Sequence, residues 1–285
     1  MKYECIYTNR LSLSVKKMCQ TFKVSRSGYY NWSENKPSKR GKENQMLLGL
    51  IRNIYIDNKG NYGSPRITKQ LRIDGLSCSK NRIARIMKKN NIRSKTKKRF
   101  KVTTRSKHNY PIAKNIINQD FTAKKLNEKW LTDITYIWTT GGWIYFSAIM
   151  DLYSRKIVGW SLGERLTREI TIKALNNALT TRRVKNGLVI HSDRGVQYSC
   201  YDYTKLIRNN NFIQSMSGKG NCYDNAPMES FFKTLKVELI YNNRYYTRDE
   251  ARRSIFEYVE LYYNRKRLHS SIGYMSPVDF ENSLN

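Results

Sequence analysis

Histidine, cysteine and acidic residues are all in short supply in this 285-residue chain, and each shortage excludes something. The three histidines (108, 191, 269) and five cysteines (5, 19, 78, 200, 222) are scattered, with no Cys-x-x-Cys spacing and no His-Cys cluster. A disulfide framework and a zinc module are therefore both unsupported, and the pattern suits a reducing, cytoplasmic setting. No apolar run approaches the roughly 18 residues of a membrane-crossing helix, and no secretory signal is read, so no membrane partner is expected. Acids number 22 against 53 Lys and Arg, a formal net charge of +31. Charge of that size repels itself unless a polyanion shares it, which points to nucleic acid. With 39% hydrophobic and 12% aromatic residues the chain is still globular, and long enough for two or three small domains.

The charge is unevenly placed. Residues 1–118 hold 29 basic and 5 acidic side chains, whereas residues 119–285 hold 24 and 17. A basic front that grips DNA and a more balanced back that folds around chemistry follows from this division. In the front, Val15, Met18, Cys19 and Phe22 form one apolar helical stripe, and Ser25 is placed to cap a helix bearing Tyr29, Tyr30 and Trp32. A second helix-turn-helix reads more clearly: Ile67 and Leu71, an Asp74-Gly75 turn, Ser79 as cap, then Ile83, Ile86 and Met87. On that last helix Arg82, Arg85 and Lys89 form a basic stripe opposite the apolar side, suited to bases or phosphates in a major groove. Residues 1–93 are thus expected to be a small all-α helix-turn-helix DNA-binding region. Residues 94–118 read as a basic linker; the stretch 94–109 carries seven Lys/Arg and no acid and would lie along phosphates.

Past residue 119 the pattern changes. Trp130–Trp138, Trp143–Met150 and Lys156–Leu162 are rich in β-branched and aromatic residues, with Gly141-Gly142 turning the first into the second. A helix around Thr167–Thr181, a buried strand Leu188–His191, a helix after Tyr201 and a strand near Phe212–Met216 follow. Three strands and then alternating helices and strands predict an α/β domain with a mixed sheet over 119–285.

Three acids stand where acids are awkward. Asp133 sits mid-strand among residues that otherwise want burial, and Asp193 ends an apolar strand, where ligand sites of α/β sheets gather. Glu229 lies on a helix whose apolar stripe is Met228, Phe231, Phe232, Leu235 and Leu239, while Glu229, Lys233 and Lys236 share a separate polar face. Asp224 and Asn225 are placed to cap this helix, and Pro227 fits its first turn. Singly, each acid has an ordinary explanation: a partnered core Asp, a turn residue before Gly195, a solvated helix acid. As a set beside a basic front they fit phosphodiester chemistry. Such chemistry needs an activated oxygen nucleophile and charge neutralised at phosphorus, and two Mg²⁺ or Mn²⁺ ions about 4 Å apart supply both. Hard cations prefer carboxylate oxygens, and three carboxylates without a metal would repel one another.

These residues sit in blocks that resemble the OrfB-type transposases of insertion sequences: WLTDITYI, GWIYFSAIMDLYSRKIVGW, HSDRGVQY, SMSGKGNCYDNAPMESFFKTLKVE and YYNRKRLHSSIGYMSP. The front blocks YGSPRITKQLR and NRIARIMKKNNIRSK resemble the helix-turn-helix that precedes the catalytic domain in that family, so the likeness spans nearly the whole chain. The resemblance implies an RNase H-like fold similar to retroviral integrases and a metal-dependent transposase that cleaves at element ends and transfers the 3′-hydroxyl strand into target DNA. It places the Asp-Asp-Glu triad, as catalytic and metal-holding residues, on Asp133, Asp193 and Glu229, the last two separated by 35 residues. It also places a DNA-contacting base on Lys236, beside Lys233. The implied partners are double-stranded DNA, further copies of the chain in a synaptic complex, and an upstream-frame protein fused to it or assisting it, in a bacterial cytoplasm near the nucleoid.

Asp151 and Arg155, in DLYSR, read as turn and fold support, and His191 as a neighbour of the site. His269 follows a helix capped by Thr247 and Glu250, with Ala251, Ile255, Tyr258 and Tyr262 as its stripe, and reads as packing or DNA contact. The alternatives are a structure-specific nuclease of the same fold, which would cut without joining, and a DNA-binding regulator with an idle catalytic domain. A host nucleic-acid chaperone would rest on charge alone and explains none of the blocks.

Overall fold

A computed structural model of the chain describes residues 1–34, 38–95, 111–218 and 222–284, in two compact units. The first comprises Met1–Lys59 and Gly63–Arg93; the second comprises Gly60–Tyr62 and Ser94–Asn285.

The first unit is helical. Helices α1 (Lys2–Thr8), α2 (Val15–Thr21) and α3 (Arg26–Ser33) bury Ile6, Met18, Cys19 and Tyr29 against one another. Ser25 caps α3, its Oγ accepting from the Gly28 N–H at 3.0 Å. The 19-residue α4 (Lys39–Asp57) was not foreseen. Its apolar residues encircle it, with Leu47, Ile51 and Ile54 buried but Met46 and Ile56 exposed, so no single stripe marks it. Helices α5 (Ser64–Ile73) and α6 (Lys80–Lys89) bury the expected Ile67, Leu71, Ile83, Ile86 and Met87. Gly75 turns the chain between them at φ +85°, and the Ser79 Oγ caps α6 by accepting from the Arg82 N–H at 3.3 Å.

The second unit is built on a five-stranded sheet. Strands β1 (Lys129–Thr139), β2 (Gly142–Asp151) and β3 (Ile157–Gly163) form an antiparallel meander. After α7 (Arg168–Thr181), β4 (Val189–Ser192) returns parallel to β1; α8 (Val196–Ser199) and α9 (Tyr201–Asn209) then lead to β5 (Ile213–Met216), parallel to β4. The order is β3-β2-β1-β4-β5, a mixed sheet in the expected α/β domain. Helices α10 (Ala226–Glu238), α11 (Arg248–Phe256) and α12 (Pro277–Asn282) complete it.

Two cores flank the sheet. On one face α10 drives Met228, Phe231, Phe232 and Leu235 onto Leu131, Ile137, Ile144 and Phe146, each large apolar side chain contributing roughly 1.5–3 kcal/mol. On the other face α7 and α9 cover Trp130, Ile149 and Ile190. A Cβ on Gly159 would lie 2.4 Å from the Ala174 carbonyl oxygen, which is why β3 carries glycine where α7 crosses it.

Several expectations are corrected here. Asn225 stands at the N-cap position of α10, but its side chain makes no capping hydrogen bond there. The Asp224 carboxylate instead accepts from Asn115 Nδ2, Gln119 Nε2 and the Gly218 N–H, and Asn225 Nδ2 donates to the Thr132 carbonyl, so both are consumed in tying segments together. The stripe read over Ala251–Tyr262 is not one α-helix, because a π-helical turn spans Glu257–Tyr263, and its i→i+5 bonding, with more residues per turn, leaves Tyr258, Val259, Tyr262 and Tyr263 buried together. Residues 96–110, the heart of the expected basic linker, lie outside the described residues. At that segment's end, Ile117 is buried in the sheet unit's core and the Ile116 N–H donates to Ser215 Oγ at 2.9 Å. Among the described residues no helix is long and apolar enough to cross a membrane.

Candidate active site

The pairing of β1 with β4 brings two of the three acids together. The strands pair in parallel through Lys129↔Val189, Trp130↔Ile190 and Leu131↔His191. Two residues further along the same register, Asp133 stands beside Asp193, the first residue past β4, on strands about 4.8 Å apart. Asp133 shares the face of Leu131 and Ile137, both packed under α10, and Glu229 lies in the first turn of that helix.

The electrostatics follow from this placement. Burial and then the Asp193 carboxylate hold the Asp133 carboxyl well above the usual carboxylate range. The Ile134 N–H, donating to Asp133 Oδ1 at 2.7 Å, opposes them; Glu229 pushes it further up and Lys236 draws it down. Glu229 is exposed at its edge, raised by partial burial and lowered by Lys233. Lys236 is half-buried, its ammonium disfavoured by burial and favoured by Asp133. The loop after β4 holds Asp193 in a turn, its Oδ1 accepting from the Gly195 N–H at 2.9 Å. A Cβ on residue 195 would sit 2.9 Å from that same oxygen, so glycine leaves room for the carboxylate.

Two residues beneath the acids matter more than the sequence suggested. Tyr198 is buried, its hydroxyl 3.1 Å from Thr132 Oγ1; burial first, then Asp133 and Asp193, keep that hydroxyl protonated. Its signal was the final Tyr of HSDRGVQY. His191 is buried between Ser215 Oγ (2.8 Å) and Ser217 Oγ (3.2 Å), and burial pushes its imidazole down to about 4, so it is neutral at pH 7. Asp151 is buried and accepts from the backbone N–H groups of Asn127, Tyr153 and Ser154, which makes it fold support. His269 is buried against the Tyr263 ring.

The basic stripe of α6 lies in the helical unit. Arg82, Arg85 and Lys89 line one groove of about 620 Å³ with Arg40 of α4. Arg82 is partly turned inward, donating to Asn44 Oδ1 (2.9 Å) and Glu43 Oε2 (3.0 Å), while Arg85 and Lys89 are exposed.

With the geometry in place, comparison with known proteins is specific. An integrase core domain family matches residues 123–222 and a second one residues 229–284, and an HTH-like domain family matches residues 42–100. The chain is 46% identical over 263 residues to the insertion element IS600 31 kDa protein of Shigella sonnei, covering 92% of this chain and 97% of that protein. It is 38% identical over 284 residues to the transposase InsF for insertion sequence IS3A of Escherichia coli (strain K12), covering 99% of each. The chain belongs to the insertion-sequence transposases. Among solved structures it is similar to a chain of the simian T-cell lymphotropic virus intasome in complex with PP2A regulatory subunit B56 gamma, with TM-score 0.46 and 14% identity over 77% of this chain and 70% of that one. In this transposase the integrase core contains Asp133, Asp193 and Glu229, and the HTH-like region contains α5 and α6 with their basic stripe.

The donor chemistry at the three acids suits hard divalent cations, since burial and the Asp193 and Glu229 carboxylates all disfavour the charged form of Asp133 and carboxylate oxygens are the ligands such cations prefer. Among the described residues no three His, Cys, Asp or Glu side chains stand as a ready-made cage, so closure of such a site requires side-chain adjustment.

Proposed function

We propose that this transposase cleaves DNA at the ends of its insertion sequence and joins the freed 3′-hydroxyl to target DNA, at a metal-dependent centre formed by Asp133, Asp193 and Glu229. The observation that carries this reading is the Asp133 carboxyl, held high by burial first and then by Asp193 and Glu229, in a chain of net charge +31. Negative charge concentrated against that background makes chemical sense as a cation site.

Asp133 and Asp193 would hold Mg²⁺ or Mn²⁺ from the sheet, and Glu229 would complete the set from α10. The chemistry that two such ions supply is activation of the attacking oxygen and neutralisation of charge at phosphorus. The protein does the rest. Rigid pairing of β1 with β4 fixes two carboxylates, while Glu229, on an exposed helical edge, has freedom to close around a bound strand. Lys236 steers a phosphate toward Asp133, and Lys233 moderates Glu229 and meets the backbone. Tyr198 and His191, both neutral, seat the floor without adding charge. Residues 1–93, through Arg85 and Lys89 above all, bind the element ends; the basic stretch 94–109 follows the phosphates; residues 119–285 carry the chemistry. Both ends of the element have to be cut and joined to target DNA, so the chain acts with further copies of itself, alone or with an upstream-frame protein, in the bacterial cytoplasm at the nucleoid.

The test is strand transfer with a labelled element end, with and without Mg²⁺ or Mn²⁺, comparing wild type with Asp193→Asn. Metal-dependent joined products that vanish in the variant support the centre. Nicking without joining would favour the nuclease; DNA binding with no chemistry, even in a fusion with the upstream frame, would leave the regulator.

A further inference from the structure

The far end of the β1–β2 hairpin carries an aromatic surface that neither the core nor the carboxylate chemistry uses. Trp138 pairs across the hairpin with Trp143, and Tyr136 lies on the same face two residues before. The rings interlock edge to face, Trp138 on Trp143 at 4.9 Å and Tyr136 on Trp143 at 5.3 Å. Yet they are 58%, 42% and 41% exposed for Trp138, Trp143 and Tyr136. Further down this face α7 and α9 cover Trp130 and Ile149, and that cover stops short of Tyr136.

A cross-strand Trp pair stabilises a hairpin, which accounts for the ring contacts. It does not account for the cations. Lys236 Nζ stands 5.1 Å over the Tyr136 ring, and the same ammonium is drawn to Asp133. At the hairpin tip the N–H groups of Thr140 and Gly141 donate to the carbonyls of Tyr245 and Tyr246, and Arg244 lies 5.5 Å over the exposed Tyr246 ring. Flat aromatic faces interleaved with cations match one kind of polyanion, a nucleic-acid strand whose bases have come out of the duplex. A paired base offers no free face; a frayed one does.

We infer that Tyr136, Trp138 and Trp143 form a stacking platform for unpaired nucleobases of the DNA strand held at the carboxylates. The inference rests on the proposed function for naming DNA as that ligand. Tyr136 and Trp138 are three and five residues from Asp133, about 10 and 17 Å along the strand at roughly 3.3 Å per residue and on the opposite face of the sheet; β1 pairs with β4 only through Lys129–Leu131, so the path from the acids runs round the β1 edge past Lys236. At about 3.4 Å per stacked nucleotide, the platform takes bases at least some three to five nucleotides from the scissile phosphate. Lys236 stands between the two, so the strand that stacks on the hairpin is the one it steers to Asp133.

The experiment measures binding of the full chain to two labelled duplexes of one sequence, one blunt and one with a few unpaired nucleotides at its end. Stacking is worth roughly five- to a hundredfold per base. Wild type is expected to bind the frayed duplex at least about tenfold more tightly. The Trp138→Ala/Trp143→Ala double variant loses that preference and keeps its blunt-duplex affinity, while Trp138→Phe/Trp143→Phe, which retains the ring faces, keeps most of it. Equal binding of both duplexes by wild type overturns the platform, and so does a preference that survives in the folded alanine variant. Strand transfer on the same preparations separates the two readings. Metal-dependent joining without a frayed-end preference removes the platform and leaves the proposed function. A frayed-end preference without joining, even in a fusion with the upstream frame, upholds the platform and removes the proposed function.

Discussion

The two units offer their cations to different company. In the helical unit Arg40, Arg85 and Lys89 line an open groove, and Glu43 answers only the inward-turned Arg82. In the sheet unit Lys233 and Lys236 stand against Glu229 and Asp133, and the Asp133 carboxyl is raised by burial and then by its Asp193 and Glu229 neighbours. The first arrangement attracts phosphate by charge excess and asks for no particular geometry. The second gathers carboxylates whose mutual repulsion a bound cation would relieve. One region is suited to affinity and the other to chemistry, and substitutions should separate them.

The sharpest break comes at Asp133. Asp133→Asn is expected to lower strand transfer at least about a hundredfold, since even groups that merely orient a metal ligand are worth 10- to 100-fold. The same change should stabilise the metal-free protein. Burial and Asp193 raise the folded-state pKa of Asp133 above its unfolded value. Its contribution to stability is therefore fully present below the unfolded pKa and is lost as pH rises through the folded one. Thermal unfolding in chelator should show wild type weakening from acid toward neutral pH relative to the variant, and added Mg²⁺ should raise the wild-type midpoint alone. An Asn variant less stable than wild type at neutral pH without metal would remove the repulsion argument.

Charge buried inside the sheet unit should next be set against charge on the surface of the helical one. Arg267 pairs with Glu238 at 2.7 Å, both almost fully buried, and Tyr258 adds a hydrogen bond of 2.8 Å to the same carboxylate. Arg267→Ala strands Glu238 and should cost about 3–5 kcal/mol in urea unfolding, with Arg267→Met/Glu238→Gln recovering much of it. Arg85→Ala, by contrast, should stay within about 0.5 kcal/mol. A small effect at Arg267 would mean that water reaches the pair.

The smallest expected effect is in DNA binding. Arg85→Ala and Lys89→Ala should each flatten the dependence of log affinity on log salt by roughly one unit, uniformly across DNA sequences. Arg82→Ala should do less, because Glu43 and Asn44 already hold that guanidinium. Lys236→Ala should reduce joining more than binding, measured by strand transfer beside filter binding. Equal loss of both would place Lys236 with the groove cations.

Much of this was legible before folding, because local chemistry writes itself into short stretches. The strand at 130–138, the Ser25 and Ser79 caps and the apolar stripes of α5, α6 and α10 depend on neighbours within a turn or two, and each stands where its pattern put it. α4 escaped because its apolar residues surround the helix, and the π turn at Glu257–Tyr263 because the usual helical periodicity does not describe it. The reassignment of Asp224 and Asn225 was equally invisible, since their partners Asn115, Gln119 and Thr132 lie about a hundred residues away.

The sequence by itself determined the kind of chain this is: its charge division, its alternation of strand and helix, and the acids and lysines that its family blocks carry. Only the tertiary structure decided which of those acids interact and what else surrounds them. Asp133 and Asp193 are 60 positions apart, and they meet because β4 chose β1 as its parallel neighbour in one register. Tyr198 and His191 lie beneath them, and the hairpin aromatics stand uncovered, for the same reason. Side-chain period is a property of consecutive residues, but register and cover are set by which long-range pairing buries the most apolar surface, and no short stretch contains that sum.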